Sequence, residues 1–176
     1  MTTIKSRIRT IPNYPKDGIM FRDITTLLSD PEGFGLAIDR MVQRYTALKI
    51  DKVAGIEARG FIFGAPLAHQ LKVGFVPIRK KGKLPFKTIS HEYELEYGTG
   101  TIEIHTDGVH KDEKVVLVDD LLATGGTAEA SIRLVEQNGG KISECCFVVD
   151  LPDIGGRKRL QNLGYDVFSL CEFSGE

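Results

Sequence analysis

The run Val115-Val116-Leu117-Val118-Asp119-Asp120-Leu121-Leu122-Ala123-Thr124-Gly125-Gly126-Thr127 constrains the fold more than any other segment of the chain. Four consecutive apolar β-formers suit a strand inside a parallel sheet covered on both faces. Ligands of such sheets gather at the carboxyl ends of the strands, where Asp119 and Asp120 fall. Thr124, Gly125, Gly126 and Thr127 then offer closely spaced backbone N–H groups and two hydroxyls at the positive end of the next helix. An anion such as a phosphate monoester is stabilised there by hydrogen bonds and by the helix dipole.

The run is not a G-x-x-x-x-G-K-[ST] loop, and no G-x-G-x-x-G opens a helix in the chain, which argues against triphosphatase and dinucleotide readings. Two carboxylates one step before a phosphate loop suit a ligand that carries hydroxyls near its phosphate, because carboxylates accept hydrogen bonds from ribose hydroxyls. An isolated Asp-Asp pair serves as readily to cap a helix or make a turn.

A length of 176 residues allows one sizeable core and is short for two, so a single domain over 1–176 is expected. A net charge of −1 gives no bulk attraction for nucleic acid or for an anionic membrane, so an anion site must be local. Cys145, Cys146 and Cys171 form neither a metal-ligand spacing nor an even disulfide set, and they read as free thiols of a reducing compartment. His69, His91, His105 and His110 are scattered without ligand spacing. With no apolar run near the ~20 residues of a membrane span and no signal-like N-terminus, the expectation is a soluble cytoplasmic protein.

Asp30 and Pro31 read as cap and first turn of a helix whose apolar stripe is Phe34, Ile38, Met41, Val42, Tyr45 and Leu48. A strand over 52–56, a helix over 61–71 and a strand over 74–78 follow as a βαβ unit. Segments 88–93 and 101–105 alternate in polarity and predict a hairpin or mobile flap, drawn as 86–106. Strand 115–118, a helix over about 127–137 ended by Gly139-Gly140, strand 145–149, a short helix near 157–163 and strand 166–170 complete a central, mostly parallel twisted sheet with flanking helices. Residues 1–30 are set apart as an N-terminal arm.

Three further segments carry candidate chemistry. Glu57-Ala58-Arg59-Gly60 is a glycine-flanked turn that presents a guanidinium able to bind a diphosphate bidentately, or simply an ordinary βα turn. Arg79-Lys80-Lys81-Gly82-Lys83 places four cations in five residues at a strand's carboxyl end, where a charge run in a neutral chain is either a solvated face or an anion site. Tyr14 to Thr25 begins with turn residues and continues as a short apolar piece broken by charges; Phe21 suits either core packing or stacking on a flat base.

The Asp-Asp-Leu-Leu-Ala-Thr-Gly-Gly-Thr string resembles the phosphoribosyl pyrophosphate signature of type I phosphoribosyltransferases, in the wording of their adenine-specific branch, and the resemblance covers nearly the whole chain. It implies that Asp119 and Asp120 bind ribose hydroxyls and that Ala123, Thr124, Gly125, Gly126 and Thr127 hold the 5′-phosphate. It implies pyrophosphate contacts from Glu57, Ala58, Arg59, Arg79, Lys80, Lys83 and Tyr97. The Leu95-Glu96-Tyr97-Gly98 flap makes Glu96 the candidate for proton transfer, with Arg59 the second catalytic candidate. The 14–25 segment resembles the family's hood, which implies adenine held by backbone at Met20 and Arg22, between Phe21 and Leu121.

Transfer of a phosphoribosyl group to adenine, giving AMP and pyrophosphate in purine salvage, is the implied activity. Mg2+ is the implied cofactor, held mainly by substrate and water with no dedicated protein site, and a homodimer is the implied assembly. Another purine base in the same site is one alternative. A non-catalytic regulator that senses phosphoribosyl pyrophosphate and binds nucleic acid is the other; it would carry a basic face, which this neutral chain lacks.

Overall fold

A computed structural model gives the structure of the protein, described for residues 3–94 and 98–175. A short 3-10 turn at Lys5–Arg7 leads into β1 (Arg9–Pro12), which pairs with β2 (Met20–Asp23) as an antiparallel two-stranded sheet. The elements that follow are α1 (Thr25–Ser29), α2 (Pro31–Tyr45), β3 (Lys52–Ile56), α3 (Arg59–Leu71), β4 (Gly74–Lys80), β5 (Thr88–Glu94) and β6 (Thr99–His105). β7 (Lys114–Leu122), α4 (Gly126–Gln137), β8 (Lys141–Asp150), a second 3-10 turn at Pro152–Ile154, α5 (Gly156–Asn162) and β9 (Val167–Glu172) complete the chain.

Seven strands form one sheet in the order β5-β6-β4-β3-β7-β8-β9. The five from β4 to β9 run parallel to their neighbours, whereas β6 joins β4 antiparallel and β5 joins β6 antiparallel. One apolar cluster, around Met41, Phe63, Leu67, Val116 and Val148, covers the face under α2 and α3. The other, around Ile78, Leu117, Ile132, Leu134 and Phe147, covers the face under α4. Burial of both faces is why β7 reads as an unbroken apolar run. None of the described helices is long and apolar enough to cross a membrane.

Local chemistry accounts for the element boundaries. Asp30 caps α2 by accepting from the Glu32 N–H at 3.1 Å, and Pro31 occupies the first turn. Gly139, at φ +90°, supplies the left-handed residue after α4. Leu48 does not belong to the α2 stripe; it follows the helix and is exposed.

Two expectations need correction. β7 does not stop at Val118: its ladder with β8 continues through Asp119↔Phe147, Leu121↔Val149 and Leu122↔Asp150, because β8 carries paired backbone as far as Asp150. The short apolar piece around Phe21, to which the sequence assigns no strand, is half of the β1–β2 sheet.

Candidate active site

The sheet brings together, at the carboxyl ends of three adjacent strands, the turns singled out in the sequence. β3 ends at Ile56 before Glu57-Ala58-Arg59, β4 runs out through Arg79 and Lys80, and β7 carries Asp119 and Asp120 near its end at Leu122, ahead of the Thr-Gly-Gly-Thr turn.

Asp119, the turn from Leu121 to Ala128 and Phe147 line a cavity of about 110 Å3. Gly125 takes φ +81°, so the chain reverses there and opens α4 at Gly126. The first N–H groups of an α-helix have no partner within it, and an anion is favoured at such an end. A neighbouring loop backs the turn: the Gly156 N–H donates to the Ala123 carbonyl at 2.9 Å, and Arg159 Nη1 stands 3.5 Å from the Thr124 carbonyl. Arg159 is held in turn by Glu129 at 2.8 Å.

Asp120 is buried and ion-paired to Arg59, Nε to Oδ2 at 2.8 Å. Asp119 Oδ1 accepts the Asp120 N–H at 2.9 Å. Burial, and then the Asp120 charge beside it, push the Asp119 carboxyl well above the usual carboxylate range. Burial raises Asp120 as well, with the Arg59 guanidinium pulling the other way. The pair therefore gains from any ligand that brings hydroxyl donors into the pocket. Gly60 permits the close approach of α3 to this edge, since a Cβ there would lie 2.6 Å from the Val118 carbonyl oxygen and 3.1 Å from Asp119 Oδ1.

Two carboxylates frame the basic turn. Glu57 accepts from Arg79 Nε at 3.1 Å and Nη2 at 3.3 Å, and from the Lys80 N–H at 3.0 Å. The Arg79 hydrogen bonds hold the Glu57 carboxyl below its ordinary pKa. Glu103, buried on β6, accepts the Gly82 N–H at 3.0 Å. Lys80 and Lys83 are exposed beside this frame. The Glu57–Ala58 peptide is cis.

In the hood, Phe21 is half-buried edge-on to Tyr14, with ring centroids 5.2 Å apart, and Met20 is exposed. Leu121 is half-buried at the end of β7. Asp23 ties the hood down: hydrogen bonds from Arg9 and then Thr25 lower its carboxyl to about 2. Glu96 and Tyr97 lie outside the described residues.

Residues 25–172 match the phosphoribosyl transferase domain. The adenine phosphoribosyltransferase of Nitrosomonas eutropha is 63% identical over 171 residues, 97% of this chain and 98% of the relative. The chain belongs to the phosphoribosyltransferase family, in its adenine phosphoribosyltransferase branch. Among solved members of that branch, the enzyme of Thermoanaerobacter pseudethanolicus superposes with a TM-score of 0.92 at 53% identity, covering 97% of this chain and 98% of the other. The Saccharomyces cerevisiae enzyme, solved with an imino-altritol bisphosphate and adenine, superposes at 0.89 with 39% identity and 96% coverage of each chain.

Glu103, Gly156 and Arg159, which back the basic turn and the turn after β7, were not singled out in the sequence. Only the Gly155-Gly156 doublet signalled a close backbone approach, and nothing in it said to which strand.

Proposed function

We propose that the protein joins adenine to 5-phosphoribosyl 1-pyrophosphate, giving AMP and pyrophosphate in purine salvage. The observation that carries this reading is the cavity formed by Asp119 and the turn 121–128, a phosphate-sized cradle beside two carboxylates. Its relatives' names, and the adenine in the yeast complex, support the choice of base.

In this reading Ala123, Thr124, Gly125, Gly126 and Thr127 hold the 5′-phosphate, and Asp119 and Asp120 hold the ribose hydroxyls. Arg59, Arg79, Lys80 and Lys83, with the Ala58 backbone and Tyr97, draw charge from the departing pyrophosphate as the C1′–oxygen bond breaks. Glu57 acts through Arg79 and Lys80, since its own carboxylate is engaged by them. A purine nitrogen bonds to C1′ and its proton leaves to Glu96. β2 has one edge paired to β1, which leaves the other to meet the base through backbone at Met20 and Arg22, with Phe21 and Leu121 on the two faces. Positioning is the main contribution of these groups to rate.

Mg2+ fits the donor set. Asp119 and Asp120 are hard oxygen donors, and among the described residues no group of three or more His, Cys, Asp or Glu side chains could hold a metal by itself. Bound to substrate oxygens, Mg2+ would lower the charge of the leaving group. Three free cysteines support a reducing, cytoplasmic setting, and a homodimer is the proposed assembly, to be checked by light scattering.

The test is pyrophosphate release with phosphoribosyl pyrophosphate and Mg2+, offering adenine, hypoxanthine, guanine and xanthine separately, with and without chelator. Release with adenine alone, lost on chelation, is expected. Release with another base alone would overturn the base assignment, and binding without release would point to a regulator.

A further inference from the structure

Phe173 follows β9 and is 8% exposed, with the Arg22 guanidinium carbon 4.5 Å and Lys5 Nζ 4.8 Å from its ring centroid. Arg22 is itself 9% exposed. Its Nη1 donates to Thr10 Oγ1 at 2.7 Å and its Nη2 reaches the Ser174 carbonyl at 3.5 Å, while Nε is buried without a hydrogen-bond partner. A guanidinium so desolvated depends on the ring face for compensation.

The turn that carries Phe173 is anchored to the site. Its N–H donates to the Asp150 carbonyl at 3.0 Å, and the Gly175 N–H donates to Asp153 Oδ2 at 2.8 Å. Asp150 is the register partner of Leu122, the last residue of β7 before the phosphate turn. A two-stranded sheet such as β1–β2 is marginal alone, so its placement depends on such docking. Along β2 successive side chains face opposite ways, so seating Arg22 on Phe173 fixes the face that Phe21 presents.

We propose that Arg22 and Phe173 are positioning residues for the base: their stacking fixes the β1–β2 hood relative to the end of β7, and so sets adenine affinity without touching the reacting atoms. This inference rests on the adenine reading and deepens it.

Steady-state kinetics on the full chain test it. Phe173→Leu should raise KM for adenine about tenfold, with KM for phosphoribosyl pyrophosphate within about twofold of wild type. Phe173→Tyr, which keeps the ring, should restore the wild-type value. Arg22→Lys, which keeps a cation but loses the fork to Thr10 and Ser174, should give a smaller selective rise, and it carries the test if Phe173→Leu does not fold. An unchanged KM for adenine in a folded variant, or an equal rise in both KM values, would overturn the proposal. Absence of AMP from the wild-type chain would instead sink the adenine reading, and the positioning role with it.

Discussion

Arg59 Nε lies 2.8 Å from Asp120 Oδ2, so the turn after β3 and the acidic end of β7 are one ionic unit. Asp120 is buried whereas Arg59 is half exposed. The carboxylate therefore bears most of the desolvation, and the guanidinium is the member free to swing toward an anionic ligand. A ligand that satisfies Asp120 with hydroxyls and Arg59 with pyrophosphate oxygens exchanges one internal pair for two charge-assisted contacts.

Asp120→Asn should weaken binding of phosphoribosyl pyrophosphate about tenfold or more, because a hydrogen bond to a charged acceptor contributes on the order of 1.5–3 kcal/mol. Titration calorimetry with the Mg2+ complex measures this directly. Wild-type affinity would remove Asp120 from the ribose site.

Glu57→Gln tests the frame of the basic turn. The neutral amide keeps an acceptor for the Lys80 N–H but gives up the charge that orients Arg79. KM for phosphoribosyl pyrophosphate should rise several-fold while KM for adenine stays put. Equal shifts in both would mean that Glu57 serves the fold and not the pyrophosphate turn.

Asp119 makes stability and function oppose each other. Folding raises its pKa, so the native state disfavours the ionised form wherever the unfolded chain would carry it. That cost is absent below the ordinary carboxylate value of about 4, and it grows as pH rises through the raised native value. Asp119→Asn is neutral throughout, and its amide oxygen can still accept the Asp120 N–H. The variant should melt at the same temperature as wild type near pH 4 and at a higher one at pH 7–8, with ribose binding impaired. A Tm difference that does not vary with pH would show that ionisation of Asp119 carries no such cost.

The central sheet was legible because its signals are local. Residues 52–56 form β3 as read, Asp30 caps α2 as read, and the glycines after β7 open α4 where the turn chemistry requires. What the chain did not disclose depends on partners far away in sequence. β7 runs to Leu122 because β8 supplies backbone there, and β1–β2 is a sheet because Arg9 to Pro12 finds Met20 to Asp23. Arg159 meets the Thr124 carbonyl only through the approach of Gly156 to Ala123, a contact between residues 33 positions apart, and no periodicity encodes such a distance. Phe173 lies beyond the strand read at 166–170, and its surroundings come from two cations brought in from residues 5 and 22.

Two glycines should respond oppositely to alanine. At Gly156 a Cβ would overlap the Ala123 carbonyl oxygen and stand 2.9 Å from Leu122 Cδ1, so either α5 or the phosphate turn must move. Overpacking of that kind costs about 1–3 kcal/mol, and here it would displace the backbone that shapes the 110 Å3 cavity. Gly156→Ala should therefore lower Tm and weaken phosphoribosyl pyrophosphate binding together. Gly35, inside α2, has nothing within 4 Å of a Cβ. Gly35→Ala should stabilise the chain by about 0.5–1 kcal/mol through reduced unfolded-state entropy, with binding unchanged. Paired melting and calorimetry on the two variants decide the matter: if Gly156→Ala binds as wild type does, the phosphate turn does not depend on the loop behind it.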